Sequence, residues 1–137
     1  MEELMERLRV GDLMHRGVIT CRPETTALAV IRMMAAHRVP SVVVTCGDGP
    51  PRLVTDADVL NALDTPSLDR LTAGEIGDQA PLVTRSDSLS STLARMRDAG
   101  STHVVVVDRS QTPLGSVSMI DVAEAVLSAC SARGDAQ

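Results

Sequence analysis

The chain has 137 residues, 44% of them hydrophobic and 23% charged, and 18 acidic residues against 13 basic ones give a formal net charge of −5. That length suits one compact domain or two small halves sharing a core, and folding should bury roughly two-thirds of the unfolded surface. The apolar share excludes a disordered chain, and no apolar stretch approaches the ~20 residues of a membrane-crossing helix. The first nine residues alternate acids, arginines and Leu/Met, unlike a secretory leader, so a cytoplasmic location is expected. Phe, Tyr and Trp are absent and every basic residue is arginine. The first absence removes the stacking platforms of single-strand nucleic-acid binders, and the acidic balance opposes a phosphate backbone. The second excludes Schiff-base chemistry and the lysine-dependent phosphate loop. Cys21, Cys46 and Cys130 share no metal-ligand or disulfide-framework spacing and read as ordinary reduced cysteines.

Residues 1–9, with Leu4, Met5 and Leu8, form an amphipathic helical segment whose acidic polar face suits packing on protein rather than on a membrane. A first repeat is expected over 10–64. It opens with a β segment at 18–21 and a helix whose apolar face is Ala27, Val30, Ile31 and Met34. A buried β-branched strand at 42–45, a turn at 47–51, a strand at 53–55 and a helix from Asp56 follow. Residues 65–71 read as a linker. The second repeat, 72–130, has the same order: β at 82–84, a helix with Leu89, Leu93 and Met96 on one face, strands at 104–107 and 115–118, and a helix from Met119. Residues 131–137 are expected to be a disordered tail.

The two halves are an internal duplication. Gly11-Asp12-Leu13 returns as Gly74-Glu75-Ile76, Val42-Val43-Val44 as Val104-Val105-Val106, and Val54-Thr55 with Asp58-Val59 as Val117-Ser118 with Asp121-Val122, at shifts of 62 or 63. Each half is β-α-β-β-α and leaves an apolar sheet face that needs a partner. The predicted class is therefore α/β, of the α+β type, with two repeats paired about a pseudo-twofold axis.

Gly-Asp-Leu-Met at 11–14, Ala-His-Arg-Val-Pro-Ser-Val-Val-Val at 36–44 and Leu-Val-Thr-Asp-Ala-Asp-Val-Leu at 53–60 stand in one fixed order. Ala-Gly-Ser-Thr-His-Val-Val-Val-Val-Asp at 99–108 and Gly-Ser-Val-Ser-Met-Ile-Asp-Val at 115–122 repeat that order. In this the chain resembles a tandem pair of CBS domains, the Bateman module, over roughly residues 10–128. The resemblance implies a free-standing regulatory module rather than an enzyme, with two clefts that in the family often hold AMP, ADP, ATP or S-adenosylmethionine. It also implies a homodimer arranged as a disc, and a regulated protein as downstream partner.

Thr55-x-x-Asp58 and Ser118-x-x-Asp121 stand at the strand-to-helix turn of each repeat. In the family this motif faces the cleft, where the carboxylate suits the two vicinal hydroxyls of a ribose. The same spacing is a capping box that satisfies first-turn amides, and both readings stay open. His37 and Arg38 match the place where nucleotide-binding members set phosphate contacts, and Arg suits phosphate through its planar fork. Those two residues also suit a solvated helix C-terminus. The second half offers only His103 nearby. Adenine is expected between aliphatic residues near Val18, Ile19 and Thr20 and near Ala80, Pro81 and Leu82. The family's glycine before the motif is present as Gly115 but replaced by Arg52, which could add a phosphate contact or crowd the first cleft. His15, His37 and His103 share no metal-ligand spacing, so no metal is expected. A ligand-independent dimeric adaptor is the alternative, and Val59, Leu60 and Leu63 with Val122, Val126 and Leu127 are the expected dimer faces.

Overall fold

The computed structural model describes residues 1–132. In chain order, helix α1 (Glu2–Arg7) and the one-turn α2 (Val10–Leu13) precede strands β1 (His15–Arg16) and β2 (Thr20–Cys21). Helix α3 (Ala27–His37), strands β3 (Ser41–Val44) and β4 (Arg52–Thr55) and helix α4 (Asp56–Leu63) complete the first repeat. The second contains the one-turn α5 (Ala73–Ile76), β5 (Asp78–Gln79), β6 (Leu82–Val83), α6 (Leu89–Ala99), β7 (His103–Val107), β8 (Pro113–Ser118) and α7 (Met119–Ala132). The mixed α/β class holds. The early strands are shorter than their apolar runs suggest, since 18–19 and 84 fall outside them. Helix α7 continues to Ala132, through the start of the expected tail, and 133–137 lie outside the described residues.

Strand formation follows composition. β7 is His-Val-Val-Val-Val and buried at every position, and β3 buries three valines. Such runs suit strands covered on both faces. The helices start where a hydroxyl can cap them: Thr26 Oγ1 accepts the Ala29 amide at 3.1 Å and Ser88 Oγ accepts the Ser91 amide at 3.1 Å. Both α3 and α6 end on a left-handed residue, Arg38 (φ 52°) and Gly100 (φ 62°) respectively.

The described residues form two compact units. One is Val18–Ala80, with sheet order β2-β3-β4-β5; the other joins Met1–Gly17 to the chain from Pro81 onward, with order β1-β8-β7-β6. In each sheet the first two strands after the leading edge follow the same plan: β2 is parallel to β3 and β6 to β7, while β3–β4 and β7–β8 are antiparallel hairpins. The outer strand is exchanged. β1, from the first repeat, pairs with β8 of the second, and β5, from the second, pairs with β4 of the first. The compact units thus cut across the sequence repeats drawn at 10–64 and 72–130.

The exchanged strands are seated by complementary sizes. A Cβ on Gly115 would lie 2.2 Å from the His15 carbonyl oxygen and 2.5 Å from Met14 Cε, so β1 approaches β8 only because residue 115 is glycine. At the matched places in the other unit the sizes are reversed, with Arg52 on β4 and Gly77 before β5. A Cβ on Gly77 would meet the Ala73 carbonyl at 2.9 Å. Arg52 Nη2 donates to the Gly77 carbonyl at 2.5 Å.

Each unit has its own core. Val30, Val42, Val44 and Val54 anchor one; Leu89, Val104, Val106 and Val117 anchor the other. Val122 belongs to the second core at 1% exposure, which corrects its expected place on a dimer face. Val59 and Val126 also pack against their cores. Leu60 (70% exposed) and Leu63 on α4, and Ile120 (67%) and Leu127 (65%) on α7, are left outward, as are Met1 and Met119.

Candidate functional site

In the unit formed by 18–80, β4 runs straight into α4 at Thr55, which caps the helix. Thr55 Oγ1 accepts the Asp58 amide at 3.4 Å, and Asp58 Oδ2 accepts the Thr55 amide at 2.9 Å and hydroxyl at 3.1 Å. The Pro40 carbonyl accepts the Asp56 amide at 3.0 Å, which seats the turn after α3 beside the start of α4. His37 and Arg38, both exposed, close α3 immediately before that turn. Ser41 pairs with Thr55 across the hairpin, and Thr20 pairs with Val43 in parallel register. Two residues back, that register brings Val18 level with Ser41. The Ile19 carbonyl accepts the Val43 amide at 2.9 Å. One end of one sheet thus carries Val18, Ile19 and Thr20, the basic pair and the Thr55/Asp58 corner.

The other unit builds the corresponding corner at β8–α7. Asp121 Oδ2 accepts the Ser118 amide at 2.7 Å and hydroxyl at 3.0 Å, and Ser118 Oγ accepts the Asp121 amide at 3.4 Å. His103 stands opposite Ser118 across the β7–β8 hairpin and is buried, its Nδ1 3.2 Å from Thr102 Oγ1. Leu82 pairs with Val105, and the Pro81 carbonyl accepts the Val105 amide at 3.0 Å. Ala80 closes the unit formed by 18–80 and is half-buried. The motif pairs are therefore capping boxes in both repeats. That assigns one oxygen of each carboxylate and leaves the other for a further partner.

What stands against that other side differs between the corners, and sequence reasoning missed it. His15 Nε2 lies 2.6 Å from Asp121 Oδ1. At the matching position, 63 residues on, is Asp78, whose carboxyl stands close enough to Asp58 to act on its charge. Burial holds the Asp58 carboxyl above its ordinary range, the Thr55 amide and hydroxyl oppose that, and the Asp78 charge adds to the rise. Carrying the match of Gly11–Leu13 with Gly74–Ile76 two residues further places His15 on Asp78, which was the available signal. Arg95 on α6 was also missed; its guanidinium donates to the Leu82 carbonyl. Arg52 points its Nη2 at the Gly77 carbonyl, while its Nε is buried without a partner. Among the described residues no group of three or more His, Cys, Asp or Glu stands in position to hold a metal ion, and no helix is long and apolar enough to cross a membrane.

Two sheets of one plan, each ending in a Thr/Ser-x-x-Asp corner, define a tandem-repeat α/β protein. The chain belongs to the CBS-domain family, whose model matches it twice, over residues 10–65 and 73–128. Among solved structures it is similar to a CBS domain protein of Pyrobaculum aerophilum complexed with AMP, at 26% identity over 83% of this chain and 89% of that one, TM-score 0.75. It is also similar to a putative signal-transduction protein with CBS domains from Burkholderia ambifaria, at 23% identity, 82% and 85% coverage and TM-score 0.72. A conserved CBS domain protein of Thermoplasma acidophilum matches at 18% identity, 85% and 68% coverage and TM-score 0.76. Among curated proteins no relative matches the chain.

Proposed function

We propose that this protein is a cytoplasmic regulatory module, not an enzyme, that binds an adenosyl nucleotide and passes its occupancy to a regulated protein through a change in conformation or dimer geometry. The observation that carries this reading is the convergence at one sheet end of Asp58, the exposed His37–Arg38 pair and the aliphatic segment Val18, Ile19 and Thr20. A carboxylate for ribose hydroxyls, a guanidinium for phosphate and an apolar wall for adenine are the three chemistries such a ligand requires. The AMP complex of the Pyrobaculum relative supports the same ligand class. Ser118, Asp121 and His103, with Pro81 and Leu82, make the second and less basic candidate set. Phosphorylated ligands are expected to favour the Asp58 site.

A thermal melt with AMP, ADP, ATP and S-adenosylmethionine tests the reading. A ligand at 100 times its Kd stabilises by about 2.7 kcal/mol, a rise of several degrees in Tm. The reading falls if none of the four moves the melt at millimolar concentration. A ligand-independent dimeric adaptor is the second reading. It is favoured by the internal use of both motif carboxylates as caps and by the outward Leu60, Leu63, Ile120 and Leu127. On that reading Asp58→Ala lowers stability by about 1 kcal/mol and changes no affinity.

A further inference from the structure

We propose that His15 is a gate on the Asp121 site: its imidazole occupies the carboxylate oxygen that a ribose hydroxyl would bind, and it must swing away before the ligand can seat. The inference rests on the adenosyl-binding reading and concerns a residue which that reading does not use. Asp121 Oδ2 already accepts the Ser118 amide and hydroxyl, at 2.7 and 3.0 Å. Oδ1, the remaining oxygen, is held by His15 Nε2 at 2.6 Å. The Asp121 side chain is only 10% exposed, and protein donors take three of its roughly four acceptor sites.

The gate is built to move. The His15 side chain is 72% exposed, so rotating it outward disturbs no core contact. Its backbone is fixed: His15 pairs with Ser116, and the missing Cβ of Gly115 lets β1 lie close against β8. The ring therefore swings on an anchored strand and returns to the same carboxylate. A ribose hydroxyl is a donor, as the imidazole N–H is, so seating the ligand exchanges one donor for another at Oδ1.

The matched position in the other unit shows what this choice of residue does. There β5 delivers Asp78 beside Asp58, a second carboxyl in place of an imidazole. At that corner the matched side chain is a carboxyl, so no imidazole competes with a ribose hydroxyl there. One corner is thus guarded and the other is not, although their capping boxes are alike.

Calorimetric titration of adenosine into the full-length protein decides it, with Asp58→Ala as the background that silences the unguarded site. Adding His15→Ala should raise adenosine affinity about tenfold, the scale of one hydrogen bond to a charged group after allowance for exposure. His15→Gln, which keeps an N–H donor, should leave affinity within about twofold of the background, and Asp58→Ala with Asp121→Ala should abolish binding. The gate is overturned if His15→Ala leaves adenosine affinity unchanged or lowers it; the adenosyl reading survives that result, since binding itself persists. If wild type and every variant fail to bind adenosine and AMP, both proposals fall together. Equal Tm values for His15→Ala and its background exclude misfolding as the cause of any loss.

Discussion

Arg38 is a non-glycine residue in the left-handed region, with φ 52° and ψ 49°, where the sister helix ends on Gly100. That backbone costs an L residue of this kind roughly 1–2 kcal/mol, so arginine is an unfavourable choice for ending a helix. Strain of this sort concentrates where a side chain has other work. Arg38→Gly should raise stability by about 0.5–1 kcal/mol in urea melts, the strain relieved less the added freedom of the unfolded chain. If the guanidinium meets phosphate, the same variant should weaken AMP binding by about 10–100-fold while sparing adenosine. A gain in stability with AMP affinity intact would confine Arg38 to the surface. Asp58 offers a second test. Its folded carboxyl keeps its proton to higher pH than the unfolded chain does, so the folded state binds more protons and loses stability as pH rises above about 4. Asp78→Asn removes one contributor to that rise. It should add about 0.5 kcal/mol at pH 7, a modest figure because the site is partly solvated, and nothing at pH 3. Equal gains at both pH values would show that the Asp78 charge is not the cause.

At the scale of elements, the exchanged strands carry the most testable chemistry. Gly115→Arg should displace β1 and destabilise by about 2–4 kcal/mol, since its Cβ would overlap the His15 carbonyl. Met14→Gly in the same chain recreates the pairing of large and small residues seen at Arg52 and Gly77. It should recover part of the loss, with a coupling of at least about 1 kcal/mol in a double-mutant cycle; recovery stays partial because the backbone contact remains. These strands also mark the limit of what could be read from the chain. The valine runs of β3 and β7 and the i, i+3, i+4 faces of α3 and α6 are local patterns, and so are the Thr55/Asp58 and Ser118/Asp121 spacings. β1 and β5 have two residues each, too few for any period, and β1 finds its partner about a hundred residues away at Ser116. For the same reason His15 and Asp78 show as site residues only through the repeat match that aligns them, not through any local pattern. Val122 was misplaced because α7 is apolar on more than one side, and periodicity cannot tell which stripe meets the sheet.

For the whole molecule, the outward leucines and Ile120 make a homodimer the expected state. Sedimentation should give about twice the 14.5 kDa chain mass, and a concentration-independent monomer in the micromolar range would refute it. Leu60→Glu combined with Leu127→Glu should restore the monomer without unfolding either core, because both side chains are exposed. Fragments divide differently. A chain of residues 18–80 contains every strand of its sheet and should unfold cooperatively in urea. A chain cut at 10–64 lacks β5 and should be less stable or unfolded.

Strand exchange also imposes an order of assembly. During synthesis the first eighty residues contain a complete unit, which can fold while the remainder is still being made. The opening seventeen residues must wait, because β1 has no partner until Pro113–Ser118 emerges. The unit that flanks residues 18–80 in sequence is therefore completed last, with residues 1–17 held idle while the other unit folds. Loop closure over that distance is slow to be rewarded by contacts, so in refolding the amides of β3 and β4 should gain protection before those of β8 that face β1. On this timetable the segment bearing His15 reaches Asp121 last, and the newly made chain passes through a stage in which one corner is finished and the other has neither its outer strand nor its guard.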